Sequence, residues 1–350
     1  MVKQRASVER LPVYVQGKSI PGAVKLSSNE NPYPPLDSVA QTVHEQVASM
    51  QLYPDMGAGA LRTAIAEHHG VRTEEIAVGA GSVEVANQLI SASAGEGDEV
   101  IFAWRSFEAY PILVQISGAT PIAVPLTPEE RHDLPAMAAA VTERTRLILV
   151  CNPNNPTGAG VTAAELDEFM AAVPQDVLVV VDEAYVHFNN DPESADGLDF
   201  FRRYENIAVL HTFSKAYGLA GLRVGYAIAR EPVAENLRRV ALPFGVSALA
   251  QHAAIASLEA ESELSERVHL LTAERARVLV GLRDAGWNVR DSLGNFVWLR
   301  TGERTPEIDA ALRAHAVIGR AYGAEGIRVT IGSPAMNDAF LAAIRTIDPG

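Results

Sequence analysis

Leu147-Ile-Leu-Val-Cys151 runs into Asn152-Pro-Asn-Asn-Pro-Thr-Gly158, and Val177-Leu-Val-Val-Val181 runs into Asp182-Glu-Ala-Tyr185. Each is a continuously apolar run of strand length that stops abruptly in polar and turn-forming residues. Strands apolar on both sides are covered on both faces, as in a parallel sheet packed between helices. Between the two runs, Thr162-Ala-Ala-Glu165 reads as a capping box that opens a helix carrying Leu166, Phe169 and Met170. Further strand candidates at Glu75–Val78, Glu99–Phe102, Ile207–Leu210 and Val224–Ile228 extend the alternation of strand and helix. The chain is therefore read as α/β, with a mainly parallel sheet.

After about residue 245 the texture changes. Ser247 to Asp284 is rich in Ala, Leu, Glu and Arg, has no proline and stops at Gly286, which predicts one long or kinked helix. Beyond it, strand candidates Asn295–Leu299 and Ile327–Ile331 flank a helix near Glu307–His315, and a last helix follows Pro334. These features predict an N-terminal arm over 1–28, a large α/β domain over 29–245 and a smaller α+β domain over 246–350. More than one domain is the expectation for a chain of 350 residues.

A formal net charge of −14 sets the chain against nucleic acid and anionic membranes, both of which call for a basic face. The single cysteine, Cys151, leaves no intrachain disulfide and no CxxC metal or redox site. Met1-Val-Lys-Gln-Arg-Ala6 is not followed by the apolar stretch of a secretory signal. No run approaches the roughly 20 apolar residues of a membrane helix. The expectation is a cytoplasmic protein acting on small molecules.

Four segments carry chemistry. Gly79-Ala-Gly-Ser82 lies between a strand and a helix, where glycines admit a ligand and free N–H groups face a phosphate; a plain βα turn has the same look. The dinucleotide pattern GxGxxG is not met, because Glu84 stands at its last glycine. Asn152–Gly158 follows a strand end, the edge at which parallel sheets bind ligands, although Asn and Pro also favour tight turns. Asn155-Pro156 is a candidate cis bond. Asp182, again at a strand end, suits an ion pair, a metal or a protonated heterocyclic nitrogen; the spacing of a metal set is missing.

The fourth segment is His211-Thr-Phe-Ser-Lys-Ala-Tyr-Gly-Leu-Ala-Gly-Leu-Arg223. Lys215 here reads either as a solvated surface residue or as a Schiff-base lysine, whose amine burial keeps neutral. Ser214 and Arg223 add a hydroxyl and a fork of donors for a phosphate. Together the four segments supply a phosphate cradle, a carboxylate, a phenol, an amide and an amine, which is the set of groups that pyridoxal phosphate (PLP) requires.

These residues resemble the fold-type-I PLP aminotransferases, in particular the histidinol-phosphate aminotransferase branch. The likeness runs through Ser28-Asn-Glu-Asn-Pro32, Tyr53-Pro-Asp55, Gly79-Ala-Gly-Ser82, Asn154-Asn-Pro-Thr-Gly158, Asp182-Glu-Ala-Tyr185, Ser214-Lys215, Gly221-Leu-Arg223, Asn295-Phe296 and Ile327-Arg-Val-Thr330. Ala103-Trp-Arg-Ser-Phe-Glu-Ala-Tyr110 and Cys151-Asn-Pro-Asn-Asn-Pro156 are similar to the actinobacterial aromatic amino acid aminotransferases. The resemblance implies a large domain with a mainly parallel seven-stranded sheet and a smaller α+β C-terminal domain.

It also implies roles. Lys215 would bind the cofactor covalently and carry the proton, Asp182 would pair with the pyridinium nitrogen, and Tyr185 with Asn155 would contact the phenolic oxygen. Gly81, Ser82, Val83, Thr212, Ser214 and Arg223 would hold the phosphate. Tyr53 would reach the phosphate in the neighbouring subunit of a homodimer. Phe107 would stack on the ring where the histidinol-phosphate enzymes carry tyrosine. Arg328 would clamp the substrate α-carboxylate with help from Asn295. Tyr14 and Arg320 match positions that contact the substrate phosphate in that branch, and both also suit the border of an aromatic pocket.

The implied reaction is amino transfer between an aromatic amino acid, phenylalanine foremost, and 2-oxoglutarate, with histidinol phosphate as the alternative substrate. A PLP decarboxylase would share the cofactor residues. A dead binding module would have lost one of them, and none is missing.

Overall fold

The computed structural model describes residues 2–3, 5–9, 11 and 20–350. Among the described residues twelve strands form three sheets. β1 is Val24–Lys25, and β2 to β8 are Ile76–Gly79, Glu99–Trp104, Thr120–Pro125, Thr145–Cys151, Leu178–Asp182, Ile207–Thr212 and Gly225–Ala229. β9 to β12 are Phe296–Leu299, Val317–Ile318, Arg320–Tyr322 and Gly326–Thr330.

β2 to β8 make the central sheet in the order β2-β8-β7-β6-β5-β3-β4. Its pairs are parallel except those of β8, which runs antiparallel to both β2 and β7. The inner strands are apolar on both faces because helices cover both. Leu147, Ile148, Leu149 and Val150 of β5 and Val179, Val180 and Val181 of β6 are all fully buried. Each such side chain contributes about 1.5–3 kcal/mol relative to exposure. The capping box forms as read. Thr162 accepts from the Glu165 N–H, and Glu165 accepts from the Thr162 N–H at 2.8 Å.

The parallel order places the C-terminal ends of β2, β3, β5, β6 and β7 along one edge. The antiparallel β8 brings its first residue, Gly225, to the same edge, opposite Gly79 and Thr212. β11, β12 and β9 form a separate antiparallel sheet, and β1 pairs in parallel with β10.

Two local features differ from the sequence reading. β4 was not among the strand candidates. It is an edge strand bounded by prolines, Thr120-Pro-Ile-Ala-Val-Pro125, and its burial does not alternate. The stretch from Ser247 is two helices, Ala248–Glu259 and Glu261–Asp284, divided at Ala260, whose backbone (φ −99°, ψ 27°) leaves the helical region. The first of these packs on the helices Asp37–Gln46 and Gly59–His69, the second against the last helix, Pro334–Ile344. Different packing partners, rather than a breaker residue, account for the interruption. Among the described residues no helix is long and apolar enough to cross a membrane.

Candidate active site

At the shared edge of the central sheet lies a cavity of about 290 Å³, whose walls include Ser82, Phe107, Asp182, Tyr185, Lys215 and Arg328. Val83, Asn155, Thr212, Ser214, Arg223 and Arg320 also line it. Most residues singled out in the sequence therefore converge, although they come from five strand ends and from the distant β11–β12 hairpin.

Lys215 follows β7. Its Nζ donates to the Ser28 carbonyl at 3.2 Å and lies 5.8 Å from the centre of the Tyr185 ring. Burial brings the amine down to about 7, with the Arg328 and Arg223 cations pushing the same way and Glu30 opposing. Much of the amine is thus neutral, and nucleophilic, near neutral pH.

Asp182 closes β6. Burial lifts its carboxyl to about 6 against the Tyr110 hydroxyl, which donates to Oδ2 at 2.5 Å, and the Ala184 N–H, which donates to Oδ1 at 3.2 Å. Tyr185 is buried edge-on against Phe296, and burial pushes its phenol up. Its oxygen accepts from Asn29 Nδ2 at 2.9 Å and Asn155 Nδ2 at 3.3 Å. The Asn155–Pro156 bond is cis. Arg328 of β12 donates to Asn155 Oδ1 at 2.6 Å and to the Ser27 carbonyl at 2.8 Å.

At the other end, Gly81 precedes the helix Ser82–Ser93 with φ +84°. The N–H groups of Ser82 and Val83 have no carbonyl one turn back to receive them. The Arg223 guanidinium lies over Gly81, donates to the Ser214 hydroxyl at 3.4 Å, and would be met at 2.3 Å by a Cβ on Gly81. Thr212 Oγ1 accepts from the Ser214 N–H at 3.1 Å.

Not every expected residue faces the cavity. Tyr53 is 83% exposed and stacks on Phe244 with ring centres 4.6 Å apart. Asn295 is buried and donates to the Asn29 carbonyl at 3.2 Å, outside the cavity wall. Tyr14 lies outside the described residues. Glu183 accepts from the Gly197 N–H and bonds His211 Nε2, both at 2.7 Å, which makes it a structural carboxylate.

The family model for aminotransferases of class I and II matches residues 21–344. The chain belongs to the class I and II aminotransferases. The aromatic amino acid aminotransferase of Streptomyces avermitilis is 57% identical over 343 residues, covering 97% of this chain and 96% of that protein. The enzyme of the same name from Streptomyces coelicolor is 58% identical with the same coverage. The histidinol-phosphate aminotransferase of Sinorhizobium meliloti, solved in complex with pyridoxal-5'-phosphate, superposes with a TM-score of 0.89 at 26% identity, covering 99% of both chains. The fold is that of the fold-type-I enzymes, and the aminotransferase uses pyridoxal phosphate as its cofactor.

The residues of the aminotransferase fit that cofactor on observations independent of the likeness. The turn at Gly81 is a cradle that a side chain would fill. Gly225 keeps β8 beneath it, since a Cβ there would stand 2.5 Å from Ser82 N and 2.8 Å from the Gly81 carbonyl carbon. At the opposite end Arg328 Nε is buried with no hydrogen-bond partner, a donor set aside for a ligand. Between them stand a neutralised amine and a buried carboxylate, the pair that an aldehyde and a pyridine nitrogen call for.

Three residues of the site were not singled out as functional in the sequence. Asn29 holds the Tyr185 oxygen, Glu108 bonds Arg320, and Tyr110 bonds Asp182. Tyr110 leads to a prediction. A hydrogen bond to a charged group is worth about 1.5–3 kcal/mol, or about one to two pH units in the titration of its acceptor. This one favours the ionised carboxylate, so Tyr110→Phe shifts the Asp182 titration upward, above the value of about 6. The neutral acid cannot balance a protonated ring nitrogen. Cofactor affinity of the variant is expected to fall, relative to the parent, as the pH is lowered from about 8 toward about 6. An identical pH profile of cofactor dissociation in the two proteins would refute the role.

Proposed function

We propose that this aminotransferase transfers the amino group between an aromatic amino acid, phenylalanine foremost, and 2-oxoglutarate. What carries the reading is likeness over nearly the whole chain, at 57–58% identity, to two aromatic amino acid aminotransferases. The cavity supports it with aromatic walls at Phe107 and Tyr322 beside a single buried arginine, Arg328.

Bound pyridoxal phosphate supplies an aldehyde that takes up the amino group and a ring that accepts the electron pair released at the substrate Cα. The chain's own residues do the rest. Arg328 takes the α-carboxylate in a two-pronged hydrogen bond, fixing which Cα bond faces the ring. The Lys215 amine, brought down to about 7 and so in good part neutral near neutral pH, would take the proton from the substrate Cα and carry it to the cofactor. Asp182 would hold the ring nitrogen in its protonated form. Tyr185 and Asn155 would hold the phenolic oxygen, while Gly81, Ser82, Val83, Thr212, Ser214 and Arg223 would bind the phosphate at the helix N-terminus. Phe107, in the cavity wall, would cover the ring.

A homodimer belongs to the same proposal. Met50, Leu52, Tyr53, Met56 and Leu242 are each more than 60% exposed, an apolar patch that a second copy would cover. Tyr53 of the partner subunit would complete the phosphate site.

The presence of Arg320 at the cavity wall and the histidinol-phosphate enzyme among the structural neighbours favour one second reading, histidinol phosphate as substrate. Comparing kcat/KM for phenylpyruvate and imidazole acetol phosphate, with glutamate as donor, decides between the two. The proposal expects phenylpyruvate to lead by about a hundredfold, within the range that unmatched polar contacts impose. A preference for the phosphorylated ketone would overturn it.

A further inference from the structure

In the β11–β12 hairpin Arg320 stands directly opposite Arg328. Side chains at paired positions project from the same face, and both guanidinium groups line the cavity. Tyr322 shares that face, two residues along from Arg320. The Arg320 and Arg328 Cζ atoms lie 5.9 Å and 5.8 Å from its ring centre. Two cations so placed, left as they are, would make a pocket for a substrate negative at both ends.

One of the two is cancelled. Glu108, in the loop after β3, accepts from Arg320 Nη2 at 2.9 Å and Nε at 3.3 Å through one carboxylate oxygen. Arg328 instead bonds the neutral Asn155 Oδ1 and the Ser27 carbonyl, and so keeps its full charge for a substrate. The Glu108 loop is held in place by a separate tie to the same hairpin. Arg105 Nε donates to Glu325 Oε2 at 2.8 Å, and the Arg105 guanidinium stacks 4.3 Å from the Trp104 ring centre. Glu108 is therefore presented to Arg320 by its neighbours, and does not depend on the pair for its position.

We propose that Glu108 is the specificity-determining residue of the side-chain pocket, excluding substrates whose side chain ends in a phosphate dianion. The inference rests on the aromatic reading above and supplies a physical cause for it. An aromatic side chain needs no countercharge and packs along the paired guanidinium and the Tyr322 ring. A phosphate must either separate Glu108 from Arg320, breaking two charge-assisted hydrogen bonds, or lie against a carboxylate of its own sign. The pair is not sealed, its side chains being 15% and 27% exposed. Glu108 can thus turn outward for a singly charged carboxylate such as the distal end of 2-oxoglutarate, at a smaller cost than a dianion imposes.

Glu108→Gln retains the shape and removes the charge. The test measures kcat/KM for phenylpyruvate and imidazole acetol phosphate with glutamate as donor. It also measures dissociation constants of two unreactive ligands, glutarate and 3-phenylpropionate, from their effect on the cofactor absorbance. The expected result is a shift of the kcat/KM ratio toward the phosphorylated ketone by at least about tenfold, the scale of one like charge at a partly screened site. Glutarate should bind more tightly relative to 3-phenylpropionate. Both gains should vanish in Glu108→Gln/Arg320→Gln, since they need the Arg320 guanidinium. A ratio within about twofold of the parent, or a gain that survives loss of Arg320, overturns the proposal. A parent enzyme that itself prefers the phosphorylated ketone fails the aromatic reading instead, whatever the variants do.

Discussion

Lys215→Ala is expected to lower steady transamination by at least about a thousandfold, because in the proposed mechanism one side chain supplies both the covalent link and the proton carrier. Its surroundings make the prediction specific. The amine sits where burial and two cations bring it down to about 7. Mixing the cofactor-free protein with pyridoxal phosphate should therefore form the linkage at a rate that climbs with pH up to about 7 and then levels. An ordinary lysine would go on gaining reactivity toward about pH 10. Borohydride reduction followed by mass measurement reads the linkage independently of turnover. The parent should gain one cofactor mass and Lys215→Ala none. A variant that still acquires the mass would place the reactive lysine elsewhere.

Arg328→Lys is the second large effect. Arg328 uses two nitrogens on two acceptors, Asn155 Oδ1 at 2.6 Å and the Ser27 carbonyl at 2.8 Å, a fork that a single ammonium cannot reproduce. The expected loss in kcat/KM is about a hundredfold or more for amino acid and oxo acid alike, the scale of disrupting a desolvated charge pair. The cofactor should still bind, because its phosphate and ring nitrogen are held from the opposite wall. Equal losses in kcat/KM and in cofactor affinity would show instead that Arg328 shapes the whole cavity.

The parts of this molecule legible in its sequence are those that local patterning dictates. β5 and β6 are apolar on both faces and end in polar turns, so their place at the centre of the sheet and their reactive ends could be read directly. The capping box at Thr162 was equally local. β4 was not, because prolines and an edge position blur its pattern, and β1, β10 and β11 are too short to carry a period. The helix break at Ala260 has no breaker residue; it arises from what the two halves pack on.

In the site the same rule applies. Lys215, Asp182 and Arg223 stand in distinctive neighbourhoods along the chain. Tyr110 meets Asp182 across 72 positions and Glu108 meets Arg320 across 212, and neither partner marks the other in the sequence. Tyr53 and Tyr14 remain where the resemblance left them, one on an exposed patch and the other outside the described residues.

The contact between Ser27 and Arg328 spans 301 positions, and β8 must enter beneath the Gly81 turn from a point far along the chain. During synthesis, at about 5–20 residues per second, a growing polypeptide passes through most of its length before these groups coexist. The clamp end of the cavity is accordingly among the later parts the ribosome supplies, with only the helix Pro334–Ile344 and the C-terminal residues to follow. Capture of the substrate carboxylate, rather than uptake of the cofactor, then reports a nearly finished molecule, and a chain cut short before β12 would carry its lysine with no arginine clamp to serve.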